Sequence, residues 1–222
     1  MLNLRQLKKS EVRKVIDKIC LFLTKKIQKE MPDIDNERAE AINYGLHLLI
    51  GELPKHGIVL GLAYLLGVFK LTLITVLLLL PYRACSGGFH LKTHIGCILC
   101  TTASYCGIAK ISCYINFYNQ NLKYIIALSV WIFGMIMVHL YAPADTENVP
   151  ILRKSERKQK KILSYIFLSL GILASLFIHN NEISNILILG NLLQSIVISR
   201  FAYKLTNNKY GYEVYLENTS NT

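Results

Sequence analysis

The chain has 222 residues, 52% of them hydrophobic, and a mean hydropathy of +0.35, values that an ordinary soluble domain of this size rarely reaches. Its formal net charge of +11 would suit a nucleic-acid-binding protein, but the sequence contains no RNA- or DNA-binding motif. In an apolar chain such an excess more simply marks cytoplasmic loops and contacts with anionic lipid headgroups. We therefore expect a membrane protein that has an anionic bilayer, and no nucleic acid, as a partner.

Residues 1–31 have the pattern of an amphipathic helix. Nine Lys or Arg residues lie among the first 30 positions, and Pro32 follows. Apolar residues recur between them at helical spacing: Val12, Val15, Ile16, Ile19, Phe22, Leu23 and Ile27. This pattern predicts a helix lying on an anionic membrane surface, with a solvated helical segment as the alternative.

Six apolar stretches follow, and each is a candidate membrane span. A crossing needs about 20 mostly apolar residues, and the backbone can satisfy its polar groups in lipid only as a helix or a closed barrel. The predicted spans are 38–53, 57–80, 95–117, 123–141, 162–179 and 183–203. We expect an all-α polytopic protein with about six transmembrane helices, a single transmembrane domain over 32–204, and a polar, partly disordered tail over 205–222.

Basic residues predict the orientation of these spans. The N-terminal helix and the 142–161 segment, which holds six Lys or Arg residues, are assigned to the cytoplasm by the positive-inside rule. Six spans then place both termini and the 81–94 connection inside as well. Three short turns near 54–56, 118–122 and 180–182 would lie outside.

The stretch "PYRACSGGFHLKTHIGC" at 81–97 gathers reactive side chains at a predicted membrane boundary. Cys97 and His90 are a natural pair for nucleophilic catalysis, because an imidazole can take the proton of a thiol. On one straight helix their seven-residue spacing would separate them by about 10 Å. The chain between them must therefore bend, and Arg83 could hold a substrate oxygen nearby.

Three other interpretations of the chain remain open at this point. The stretch could be a glycine-rich connection with incidental His and Cys residues. It could hold zinc, since His90, His94, Cys97 and Cys100 are suitable ligand types, although four ligands along one straight helix cannot all reach one ion. The chain could also be a small transporter or exporter, with Glu52, Lys70 and Lys110 at membrane depth as its pathway residues.

The pattern R-x4-G-x-H-x6-C, formed by Arg83, Gly88, His90 and Cys97, resembles the signature of the accessory gene regulator B family. Its members are integral membrane cysteine endopeptidases of Gram-positive quorum sensing. The stretches "YGLHLL" at 44–49 and "YAPADTENVPI" at 141–151 are also similar to that family, and the resemblance covers nearly the whole chain.

The resemblance implies a specific reaction at the cell membrane of a Gram-positive bacterium. Cys97, activated by His90, would cleave the acidic tail from a pro-peptide of the accessory gene regulator D type. The resulting thioester would close to a thiolactone or lactone, and Arg83 and Gly88 would support the site. The resemblance also implies a homodimer, with no cofactor and no metal. A third catalytic residue stays open among Glu40, Asp145 and Glu147.

Overall fold

The structure, a computed structural model, describes residues 4–31, 33–91, 93–116, 119–147 and 150–220. Within those ranges it contains nine α-helices and no β-strand, so the all-α prediction is confirmed. The helices are α1 (Leu4–Glu30), α2 (Asn36–Leu65), α3 (Phe69–Ser86), α4 (His94–Ser112), α5 (Gln120–Tyr141), α6 (Lys154–Phe177), α7 (Asn181–Val197), α8 (Arg200–Leu205) and α9 (Gly211–Ser220).

Four of these helices, α3 to α6, are long and apolar enough to cross a membrane, as judged over the described residues. Between 22% and 33% of the residues in these spans are buried, so most residues keep some exposed surface, as lipid contact requires. The polytopic membrane class is therefore confirmed. The count of six stays a prediction, because α7 has 17 residues and α2 is interrupted by polar positions.

The predicted boundary between the first two spans is wrong. Helix α2 continues through 54–56 with Pro54 inside it, and the break falls at 66–68 instead. Gly67 adopts a φ of +69°, a left-handed conformation that ends helices and that glycine adopts without steric cost. The amide of Val68 donates to the carbonyl of Ala63 at 3.0 Å across this break.

Both lysines that were predicted at membrane depth lie at helix ends instead, Lys70 because of the new boundary and Lys110 because α4 ends at Ser112. Lys70 is the second residue of α3 rather than the middle of a span, and it is exposed. Lys110 lies in the last turn of α4, with its ammonium 5.7 Å from the ring centroid of Tyr114. Long basic side chains at helix ends can reach the interface, so neither position requires a transport pathway.

The chain divides into two compact units, residues 1–59 and 60–222. In the first unit, the Thr24 hydroxyl donates to the Asn43 side-chain oxygen at 3.3 Å, and Cys20 is fully buried. Ile19 and Phe22, two members of the predicted apolar stripe, are exposed. The side chains of Val12, Val15 and Ile16 lie outside the described residues, and the surface role of α1 stays a prediction.

Helix α7 is the centre of the second unit and packs against α3, α4, α5 and α6. Its buried polar side chains bond to neighbouring helices. The Asn185 amide donates to the carbonyls of Ser112 and Ile115 at 3.0 and 2.8 Å, and the hydroxyls of Ser195 and Tyr82 lie 3.1 Å apart. Such bonds hold helices together in lipid, where the hydrophobic effect between helices is absent.

The C-terminal segment does not have the partly disordered character expected of it. Helix α9 lies within the predicted tail of 205–222, and Tyr210, between α8 and α9, is buried. The Tyr210 ring stacks on Tyr203 with centroids 4.1 Å apart, and its hydroxyl donates to the Ile198 carbonyl at 2.9 Å. Aromatic burial therefore fixes a segment whose polar composition suggested a free tail.

Candidate active site at the start of helix α4

The R-x4-G-x-H-x6-C residues surround the connection between α3 and α4. Arg83 lies in the last turn of α3, Gly88 and His90 lie in the non-helical 87–91 stretch, and Cys97 lies in the first turns of α4. The bend that the His90–Cys97 spacing demanded is therefore present. Thr93 caps α4: its hydroxyl accepts from the Gly96 amide at 3.1 Å, and its carbonyl accepts from the Cys97 amide at 3.0 Å.

The connection is held by the segment that follows α5. Gly87 and Ala144 form an isolated parallel bridge, in which the Ala144 amide donates to the Ser86 carbonyl at 2.8 Å and the Gly88 amide donates to the Ala144 carbonyl at 2.9 Å. Gly87 has a φ of +77°, and a Cβ there would lie 2.2 Å from the Ala144 carbonyl oxygen. Only glycine permits this approach.

Gln194 on α7 holds the same connection from the other side, and it is a residue that sequence reasoning missed. Its buried amide donates to the Ser86 hydroxyl at 2.8 Å and to the Gly87 carbonyl at 2.7 Å. Its side-chain oxygen accepts from the Arg83 guanidinium at 3.4 Å. No local pattern marks Gln194, because its partners lie more than 100 residues earlier in the chain.

Arg83 and Gly88, predicted to support the site, both lie against α7. A Cβ at Gly88 would lie 3.8 Å from an Arg83 guanidinium nitrogen and 2.7 Å from a methyl carbon of Val197. A side chain at position 88 would therefore clash with Val197, which explains why this residue is glycine. Arg83 is half-buried, with one guanidinium nitrogen directed to Gln194. A guanidinium has five N–H donors in all.

His90 and Cys97 lie on the two sides of the bend. His90 is exposed in the connection, and Cys97 is partly buried with a free thiol. Hydrogen bonds between catalytic groups are often long or poorly aligned without substrate and tighten in the substrate complex.

The zinc interpretation gains no support from the described residues, where no three His, Cys, Asp or Glu side chains could hold one metal ion. The side chain of His94, one of its four ligands, lies outside the described residues. Cys100 is partly buried on α4, one turn after Cys97. Buried cysteines of this kind pack as small hydrophobic residues.

Asp145, one of three candidates for a third catalytic residue, is bound by two neighbouring residues of the chain. Its carboxylate accepts from the Arg157 guanidinium at 3.1 Å and from the Ile151 amide at 2.9 Å. These bonds hold Asp145 against Ile151 and Arg157. Glu147 is exposed, and the side chain of Glu40 lies outside the described residues.

Two tyrosines near the C-terminal end of the chain, Tyr203 and Tyr210, lie beside the residues that hold the connection. The Tyr203 hydroxyl donates to the carbonyls of Ala144 and Asp145 at 2.9 and 3.1 Å. Burial raises the pKa of Tyr203, with further increases from Tyr210 and Asp145 and a decrease from the Arg83 charge. Burial likewise raises the pKa of Tyr210. Both phenols are therefore neutral hydrogen-bond donors at physiological pH.

Comparison with known proteins finds one matching family and several relatives. The family model described as accessory gene regulator B matches residues 20–198. A "Putative AgrB-like protein" of Listeria innocua is 29% identical over 190 residues, covering 85% of this chain and 91% of that protein. "Accessory gene regulator protein B" of Staphylococcus aureus is 30% identical over 183 residues, covering 82% of this chain and 91% of that protein.

No solved structure matches the chain. The family match includes the whole connection from Arg83 to Cys97, the 142–153 segment that pairs with it, and α7. From the extent of that match, the chain belongs to the accessory gene regulator B family.

Proposed function

We propose that this chain is a membrane-embedded cysteine endopeptidase that removes the C-terminal tail from a quorum-sensing pro-peptide of the accessory gene regulator D type. The observation that carries the proposal is the placement of Cys97 at the start of a membrane helix, seven residues after an exposed His90 in a fixed connection. Membership of the accessory gene regulator B family links the chain to the system in which such a peptide occurs.

The proposed reaction has three steps: attack by the thiolate, cleavage of the C–N bond and closure of the ring. His90 takes the Cys97 proton, and the thiolate attacks the carbonyl that joins the signal sequence to the tail. When the C–N bond breaks, His90 returns the proton to the tail's nitrogen, and the signal remains on Cys97 as a thioester. An internal Cys or Ser of the peptide then attacks this thioester, which closes the ring and regenerates the Cys97 thiol.

The surroundings of Cys97 favour such chemistry. Helix α4 begins at His94, three residues before Cys97, and the positive end of its macrodipole stabilises developing negative charge. Restricted water near a partly buried thiol favours ring closure over hydrolysis of the thioester. Arg83 and Gly88 act as supporting residues, the first through the guanidinium donors that Gln194 leaves unused.

The position of the site suits an amphipathic substrate. The connection between α3 and α4 lies where two membrane helices end, so a peptide bound at the bilayer surface can reach it. The proposal places this face and both termini in the cytoplasm of a Gram-positive cell, and takes the working form to be a homodimer.

A covalent trap tests the proposal. A pro-peptide whose ring-forming Cys or Ser is replaced by Ala cannot resolve the thioester, so the signal should accumulate on Cys97 and be detected by intact and peptide mass spectrometry. The adduct should disappear on treatment with hydroxylamine. The Cys97→Ala protein should carry no adduct, and the matched Cys100→Ala protein should carry a normal amount. An adduct on another cysteine, or tail release without any adduct, would sink the mechanism.

A further inference from the structure

We infer that the chain has a specific binding site for an anionic phospholipid between α5 and α6, separate from the Cys97 site. The site joins a basic, tyrosine-rich cavity at the membrane boundary to an apolar groove that starts one helical turn deeper. The inference does not depend on the proposed protease chemistry.

The headgroup part is a cavity of about 380 Å³. Four cationic side chains and one acidic side chain line it, together with three tyrosines: Arg157, Lys158, Lys161, Arg200, Glu213, Tyr141, Tyr210 and Tyr212. Clustered cations and phenolic hydroxyls around one cavity are suited to a phosphate group.

Three of the four cationic side chains that line this cavity already bind other groups of the protein. Arg157 bonds to Asp145, Arg200 pairs with Glu213, and Lys161 donates to the His139 carbonyl at 2.6 Å. Lys158 is exposed at the cavity, and no residue of the described part of the chain forms an ion pair with it. It is therefore the side chain best placed to neutralise an incoming phosphate.

The acyl part is a groove of about 390 Å³ lined by Met135, Ile136, His139, Leu140 and Tyr165. Leu140 also lines the cavity, so the two spaces adjoin one side chain. Along α6, Tyr165 follows Lys161 by four residues, which places the groove about 6 Å further into the span. Within the groove, a hydrogen bond of 3.1 Å links His139 and Tyr165.

This order of polar and apolar surfaces favours a lipid over an acidic peptide. Both α5 and α6 are candidate membrane spans, and Ile136 and Leu140 are about half exposed on them. A phospholipid presents its phosphate at the boundary and its chains along the span, in the same order as the cavity and the groove. An acidic peptide would match the cavity but leave the groove open.

The test uses the purified full-length protein in discs of phosphatidylcholine, with phosphatidylglycerol titrated in. Native mass spectrometry measures the bound lipid. Lys158→Glu should weaken binding by about five-fold or more, since each Lys near an anionic lipid surface contributes about that factor. The charge-matched control is Lys204→Glu, at an exposed position outside the cavity. It should retain wild-type binding.

A second pair of variants tests the groove. Ile136→Trp should fill it and weaken lipid binding, whereas Leu128→Trp, at an exposed position elsewhere on α5, should not. Soluble glycerol phosphate should compete poorly, because it has no acyl chain. Equal losses of lipid binding for Lys158→Glu and Lys204→Glu would mean that general surface charge attracts the lipid, and would overturn the proposed site. Equal binding of glycerol phosphate, or tighter displacement by a poly-glutamate peptide, would also overturn it.

Discussion

Gln194 and Ser86 are hydrogen-bonded at 2.8 Å although 108 positions separate them in the chain. Ser86 is the last residue of α3, immediately before the connection that carries Gly88 and His90. The bond therefore fixes the connection to the central helix of the second unit. With the bond to the Gly87 carbonyl, it makes α7 part of the site's support.

Gln194→Ala should reduce tail removal strongly and lower thermal stability. It leaves a buried hydroxyl and a carbonyl without donors, which costs about 1–3 kcal/mol for each unsatisfied group. Gln194→Glu keeps an acceptor for Arg83 but loses both donated bonds, so it should not rescue activity. Exposed Gln159 on α6 offers the control, and Gln159→Ala should behave as wild type in cleavage and melting assays. Normal activity of Gln194→Ala would remove its positioning role.

Gly87→Ala should destabilise the protein and abolish processing. A Cβ at Gly87 would overlap the Ala144 carbonyl, and its left-handed backbone costs other residues about 1–2 kcal/mol even without a clash. Gly107→Ala in α4 is the matched control, because a Cβ there meets no atom within 4 Å. That change should be neutral or stabilise by about 0.5–1 kcal/mol. Thermal melting and cleavage would be compared; equal behaviour of the two variants would contradict the close approach.

Cys97→Ala and His90→Ala should each abolish tail removal while leaving membrane abundance unchanged, since one removes the nucleophile and the other its base. Cys85→Ala and Cys100→Ala should retain most activity. Release of the tail from a co-expressed pro-peptide is the measurement, with immunoblotting of membranes for abundance. Loss of activity in Cys100→Ala together with inhibition by chelators would favour the zinc interpretation instead.

Residues Ser155 and Asn119 should be accessible from opposite sides of the membrane. The Gly87–Ala144 bridge groups the α3–α4 and α5–α6 connections at one end of the second unit, and the Asn185 bonds lie at the other end. In a variant without native cysteines, Asn119→Cys should react with an impermeant maleimide in right-side-out vesicles, and Ser155→Cys should react only after permeabilisation. Labelling of both from outside would refute this topology.

Alkaline pH should destabilise the C-terminal support through Tyr203. Burial raises its folded-state pKa above the ordinary value of about 10, so the fold favours the neutral phenol. That contribution is fully present below about pH 10 and is lost as the pH rises through the folded-state pKa. The melting temperature of the wild type should therefore fall above about pH 10. Tyr203→Phe should melt lower at pH 8, having lost two hydrogen bonds, but fall less steeply with pH; parallel curves would exclude Tyr203 as the cause.

Composition and local pattern were sufficient for the class of fold and for the location of the motif. Apolar runs of membrane length specify helices because the bilayer offers backbone groups no other partner. The seven-residue spacing of His90 and Cys97 demanded a bend, and the non-helical stretch at 87–91 provides it. Both inferences rest on constraints that act within a few turns of chain.

The end of α2 has a local signal, which lies at Gly67 rather than at Pro54. Pro54 and its polar neighbours suggested a turn, yet a proline inside a helix removes one hydrogen bond and can be tolerated in a membrane helix. Gly67 was the true signal, because its left-handed conformation ends the helix. Because the helix breaks at Gly67, Lys70 lies at a helix end rather than in the middle of a span.

The sequence alone determined a helical membrane protein with Arg83, Gly88, His90 and Cys97 around one bend, because helix formation in lipid and residue spacing are local properties. Only the tertiary structure decided what holds that bend. Gln194, Ala144 and Tyr203 act through contacts across tens to more than 100 residues, and such pairings follow from helix packing rather than from any nearby pattern.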